Sequence, residues 1–164
     1  MNTTLPEVEG YIELLRELRA GFLEAALGFP PAALNWRPPI PETNSIYVLA
    51  THVLGAETWW IHEIVGGQAT GRHRAAEFVA EGGDLGWLPE RMRQVAERSE
   101  AVLAGLTDAD LRDTRQREDE PVTVQWCILH VIDHYSRHLG HLELTRQLWE
   151  TRSGEGGAAL GQTA

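Results

Sequence analysis

The sequence has a single cysteine, Cys127, in 164 residues, so no disulfide can form within the chain. Apolar neighbours make it a core residue rather than a nucleophile. Positive charge is also scarce. Fourteen Lys and Arg against 24 Asp and Glu leave a formal charge of −10, which argues against a nucleic-acid partner, because phosphates are gripped by basic side chains. The chain lacks a charged n-region leading into an apolar h-region, and no apolar run reaches membrane-spanning length. The expectation is a cytoplasmic protein with neither nucleic acid nor membrane as partner. No internal repeat and no alternating strand pattern is evident. What the sequence does hold is ordinary for one globular domain: 43% hydrophobic residues and six Trp to fill a core.

Periodicity divides the chain into four long helices. Thr4 and Glu7, with Pro6 between them, read as a capping box, after which Val8, Tyr11, Ile12, Leu15, Leu18, Phe22 and Ala25 recur at helical spacing until Gly28. A proline-rich crossing follows, in which Asn35, Trp36 and Arg37 either line a pocket mouth or form a loop clamped by a buried Trp. The second helix starts after Thr43 or Asn44 and runs to Gly66-Gly67, with a stripe of Ile46, Leu49, Val53, Ala56, Trp60 and Ile64. His52 borders that stripe, Glu57 lies near its opposite border, and His62 points away towards solvent. Glycines and mixed charge predict a loop from Gly66 to Trp87, with one short helix near Arg74 to Ala80 and an unpartnered His73. A third helix carries Leu88, Met92, Val95, Val102 and Leu106. A capped turn at Thr107 to Leu111 and an exposed loop at Arg115 to Pro121 lead to a last helix capped by Thr123. After Arg152 the small polar residues predict a flexible tail. The fold class is all-α, a four-helix bundle over residues 1–152 with one crossover longer than the rest and a tail at 153–164.

The last helix carries the chemistry. His130, His134, His138 and His141 share a sector roughly 80° wide beside the apolar arc of Ile128, Val131, Ile132, Tyr135, Leu139 and Leu142. An i, i+4 pair aims two rings at one point, as a helix must to offer two nitrogens to a metal. His134 and His138 lean furthest inward and are the favoured pair, leaving His130 and His141 as supporting groups or substrate contacts. Bundle sites draw ligands from facing helices, and His52 is the third candidate.

These residues carry a resemblance. Leu34-Asn35-Trp36-Arg37-Pro38, Asn44-Ser45-Ile46 leading to His52-Val53-Leu54-Gly55-Ala56-Glu57, and Trp59-Trp60 resemble the DinB/YfiT-like superfamily of metalloenzymes. So do Thr123-Val124-Gln125-Trp126, His130-Val131-Ile132-Asp133-His134 and Arg137-His138-Leu139-Gly140-His141 with Arg146. This superfamily includes the metal-binding domain of mycothiol-dependent maleylpyruvate isomerase. The resemblance implies a bundle in up-down-down-up order, often dimeric, with the metal on His52, His134 and His138. It implies zinc or nickel, a low-molecular-weight thiol such as mycothiol or bacillithiol, and activity as an isomerase, S-transferase or hydrolase.

Three neutral imidazoles leave a fourth position open on a tetrahedral ion, the pattern of a catalytic site. The expected function is thiol transfer or isomerisation on a small electrophile, with Glu57, His141 and Arg137 as catalytic candidates and Trp36 and Arg37 as cofactor-binding ones. A hydrolase using hydroxide on the metal, a metal that only staples the bundle, and a metal-free dimerisation module are the alternatives.

Overall fold

The computed structural model describes residues 4–117 and 120–158, with side chains through Arg152. Four long helices form an all-α bundle: α1 (Pro6–Leu27), α2 (Ile46–Glu57), continued without a break by a π-helical stretch (Thr58–Val65), α4 (Leu88–Ala104) and α6 (Val124–Ala158). Between them lie the short helices α3 (Arg74–Glu77) and α5 (Asp108–Arg112) and a hairpin of β1 (Thr114–Arg117) and β2 (Glu120–Thr123). α1 packs on α4 and α6, and α2 packs on the same two from the other side. The order around the bundle is therefore α1, α4, α2, α6. This sets α2 beside α6, the two helices that carry the histidine stripes.

Local chemistry fixes the ends. Pro6 sits in the first turn of α1, where its missing N–H costs nothing. The Thr4–Glu7 capping box does not form: Leu5 is the N-cap, and Glu7 instead accepts hydrogen bonds from the Tyr11 hydroxyl and from Gln125 Nε2. Ser45, one residue beyond the expected start, caps α2 by accepting from Val48 N. Thr107 and Asp110 form a reciprocal capping box on α5, and Thr123 Oγ1 accepts from Trp126 N at the start of α6. The expected tail begins inside α6, whose backbone stays helical to Ala158. Residues 159–164 lie outside the described residues.

The core joins Leu15, Phe22, Val53, Trp60 and Val95, all buried, with Leu18, Val102, Ile132 and Leu139 half-buried against them. Cys127 is buried and free, and burial pushes its thiol up to about 11, where it is a poor nucleophile. Among the described residues no helix is long and apolar enough to cross a membrane.

Two further expectations are corrected. His62 is 2% exposed, not solvated, and its Nε2 lies 3.2 Å from Val95 O and 3.0 Å from Ser99 Oγ. The wider π-helical turn advances fewer degrees per residue than an α-helix, so His62 lags back towards the face bearing Glu57. Gly66 N donating to Ile61 O at 2.9 Å marks that five-residue turn. The described residues of the segment Arg115 to Pro121 are not loop but strand, paired antiparallel across β1 and β2. A surface hairpin needs no apolar alternation when its side chains find partners along their stems. Arg115 Nε donates to Ile64 O at 3.2 Å, and Arg117 lies over the Trp126 ring.

Candidate metal centre

His52 comes from the middle of α2, and His134 and His138 come from successive turns of α6 facing it. His134 Nε2 lies 3.1 Å from His52 Nε2 and 3.2 Å from His138 Nε2. One ring nitrogen from each residue falls within 4.8 Å of the other two. Nitrogen ligands about 2.0–2.1 Å from a tetrahedral zinc stand roughly 3.3–3.4 Å apart, so the spacing suits a single ion.

The protonation states suit it as well. Burial pushes His134 down to about 2, with the neighbouring imidazoles adding to the shift, and pushes His138 down to about 4 by burial and then by His52. Both rings are neutral at pH 7 and offer lone pairs, which is the form a metal requires. His52 is oriented from behind. Its Nδ1 lies 2.8 Å from Glu77 Oε2, so the proton sits on Nδ1 and Nε2 is left free to bind. Glu77 in turn accepts two hydrogen bonds from Arg72, at 2.6 and 2.8 Å. Arg72 and His52 together hold this carboxylate below its usual range against the opposing effect of burial. Gly55, one turn beyond His52, makes room for it: a Cβ there would stand 2.1 Å from Glu77 Oε1. His134 Nδ1 is buried without a hydrogen-bond partner among the described residues.

The three rings separate two cavities. His52 and His134 floor a chamber of about 690 Å³ walled by Trp59, Trp60 and His130. His138 and His141 border a smaller apolar one of about 150 Å³ beside Leu144 and Leu148.

The family model of the mycothiol-S-transferases matches residues 11–151, most of the chain. The chain belongs to that family. A DinB-like protein from Bacillus cereus ATCC 10987 has the same fold, with a TM-score of 0.70 at 16% identity over 92% of this chain and 95% of its own. A conserved protein from Enterococcus faecalis aligns with a TM-score of 0.63 at 20% identity, over 88% of this chain and 97% of its own. The uncharacterized protein YkkA of Bacillus subtilis (strain 168) is 31% identical over 67 residues, which span 41% of this chain and only 38% of that protein.

The remaining candidates of this mycothiol-S-transferase family member take other places. Glu57 is fully buried and occupied, accepting from Arg19, from Ser99 Oγ at 2.6 Å and from Tyr135 OH at 2.7 Å. Arg137 is exposed and paired with Asp133 one turn back on α6. His141 is exposed with Nδ1 3.3 Å from His138 Nδ1, while His130 stacks on Trp126 at 4.8 Å. Trp36 packs on Trp149, and Arg37 donates to Phe78 O at 3.0 Å; neither lines the two cavities beside the histidines. With Asn35, which bonds both backbone groups of Gly82 at 3.1 Å, Arg37 fastens the loop that delivers Glu77. Sequence reasoning missed Glu77 and Arg72. Their only signal was a carboxylate and a guanidinium in a short helix and loop, with no periodic tie to His52.

Proposed function

We propose that the chain joins the sulfur of a low-molecular-weight thiol to a small electrophile at a divalent-metal centre held by His52, His134 and His138. The observation that carries this reading is the convergence of three imidazole nitrogens, two of them from rings that line the larger chamber, in a member of the mycothiol-S-transferase family. A divalent ion such as zinc or nickel held there would favour the thiolate over the thiol at neutral pH. Mycothiol or bacillithiol is the proposed cofactor.

The protein side of the chemistry follows from the contacts. Glu77 fixes the tautomer of His52, and Arg72 fixes Glu77. Trp59, Trp60 and His130 wall the chamber with ring faces and edges that thin out water around the reacting carbon. Exposed His141, beside His138 at the smaller cavity, would carry the thiol proton to solvent where the thiol enters from that side. The C–S bond forms as the bond to the leaving group breaks or, at an activated double bond, as the π electrons move to the far carbon, which takes a proton from solvent. Neither Glu57 nor Arg37 is needed for this.

The test is thiol consumption with 1-chloro-2,4-dinitrobenzene, in which chloride leaves as the C–S bond forms. Zinc- or nickel-loaded protein should accelerate it with at least one thiol of a panel that includes mycothiol, and chelator-stripped protein should not. Ester or amide turnover in the absence of any thiol would point to the hydrolase instead.

A further inference from the structure

We infer that the larger chamber recognises a carboxylate: Arg74 and Arg117 hold an anionic group of a flat reactant whose body lies against Trp59 and Trp60. This rests on the reading that the chamber receives the reactants. Its wall carries three guanidinium groups, Arg72, Arg74 and Arg117, against the single carboxylate of Glu63. That balance is opposite to the chain's formal charge of −10.

The three arginines are not equivalent. Arg72 is taken by Glu77, and the Glu63 carboxylate is itself satisfied by the backbone N–H and hydroxyl of Thr70. Arg74 and Arg117 have no carboxylate partner among the described residues. Each rests instead on an aromatic face, with the Arg74 Cζ 4.9 Å from the centre of Phe78 and the Arg117 Cζ 5.1 Å from that of Trp126. Those rings lead directly to the histidines. Phe78 lies 4.6 Å from the His52 ring, and Trp126 stacks on His130 at 4.8 Å with 9° between planes.

An arginine seated over a ring spends no N–H on a carboxylate there, and an incoming carboxylate can accept two of those N–H bonds side by side. Every cation in the sequence is arginine, with no lysine anywhere, so this two-pronged geometry is available at both positions. Aromatic walls and a cationic rim above a metal floor select a reactant with a flat apolar body and an acid group. Such an acid group could belong to the electrophile or to the thiol.

Calorimetric titration of the zinc-loaded protein with benzoate and with its neutral isostere benzamide tests the inference without turnover. Benzoate should bind at least tenfold more tightly than benzamide, and added potassium chloride should weaken it. The double substitution Arg74→Gln, Arg117→Gln should remove that preference while metal stoichiometry and the helical far-ultraviolet spectrum stay unchanged. Equal binding of the two probes, or a benzoate preference that survives the double substitution, overturns it. A preference that disappears only with the metal also overturns it, because the metal alone would then hold the acid.

Turnover identifies the source of the anion. If the electrophile carries it, the double substitution raises KM for 4-chloro-3,5-dinitrobenzoate with 2-mercaptoethanol. If the thiol carries it, KM rises for mercaptosuccinate with 1-chloro-2,4-dinitrobenzene. Failure of every pair in the unsubstituted protein would count against thiol transfer, and the benzoate titration would still decide the carboxylate site.

Discussion

At the scale of single residues, two kinds of buried polar group behave differently. His134 and His138 are held neutral and, with His52, bring one ring nitrogen each to within 4.8 Å of the others, an arrangement that a metal would complete. His138→Ala should therefore abolish stoichiometric zinc binding, measured by metal analysis after gel filtration, whereas His73→Ala, on the exposed loop, should leave it intact. Glu77 acts one bond further out. Glu77→Gln should weaken metal affinity about 10–100-fold in a competition titration with little loss of fold. Gly55→Ala offers an independent check, because its methyl would displace the Glu77 carboxylate while alanine favours the helix. It should reproduce the weakened metal binding with unchanged or raised thermal stability; unaltered metal affinity would mean that Glu77 does not orient His52. Glu57 is the contrasting case. Arg19 is 4% exposed and Glu57 0%, so Glu57→Gln leaves a buried guanidinium with only the longer contact to Glu100, at 3.5 Å, as counter-charge. We expect a loss of about 3–5 kcal/mol by urea unfolding.

At the scale of elements, the π-helical stretch decides what the second half of the α2 rod presents. It buries His62 against α4, where burial pulls its pKa below 6.5 despite the hydrogen bond to Val95 O. The unfolded chain takes up this proton first as pH falls, so the stability contributed by neutral His62 is present above pH 6.5 and is lost as pH drops towards the folded-state value. His134 and His138 act in the same direction in metal-free protein. The unfolding free energy of metal-free protein should fall from pH 7 to pH 5, and less steeply in His62→Gln. A slope unchanged by that substitution would place the proton uptake elsewhere. The loop between Gly66 and Trp87 is the second deciding element. Asn35 and Arg37 fasten it from the crossing after α1, so an element without long periodicity is held firmly enough to deliver a carboxylate.

At the scale of the whole molecule, the metal would tie α2 to α6 across the bundle. Binding only the folded state, it would stabilise by about 2.7 kcal/mol at a free concentration one hundred times its Kd. Zinc should raise Tm in a concentration-dependent way, chelation should reverse the shift, and His134→Ala should show no shift. The two cavities on either side of the histidines give the molecule separate approaches to one centre, the larger cationic and aromatic, the smaller apolar.

The sequence by itself determined the helices and the direction of the histidines on them. A period of 3.6 is a local property: it sets His134 and His138 one turn apart on the inner flank of α6, and places His52 beside the stripe of α2, before any packing is known. The same logic failed where the period changes, at His62, and where no period exists, in the hairpin and in the loop bearing Glu77. Only the tertiary structure set Glu77 behind His52, consumed Glu57 in an ion pair with Arg19, and gathered Arg74 and Arg117 around one chamber. Those outcomes depend on which residues, far apart in the chain, come within hydrogen-bond reach, and spacing along a single helix holds no record of that.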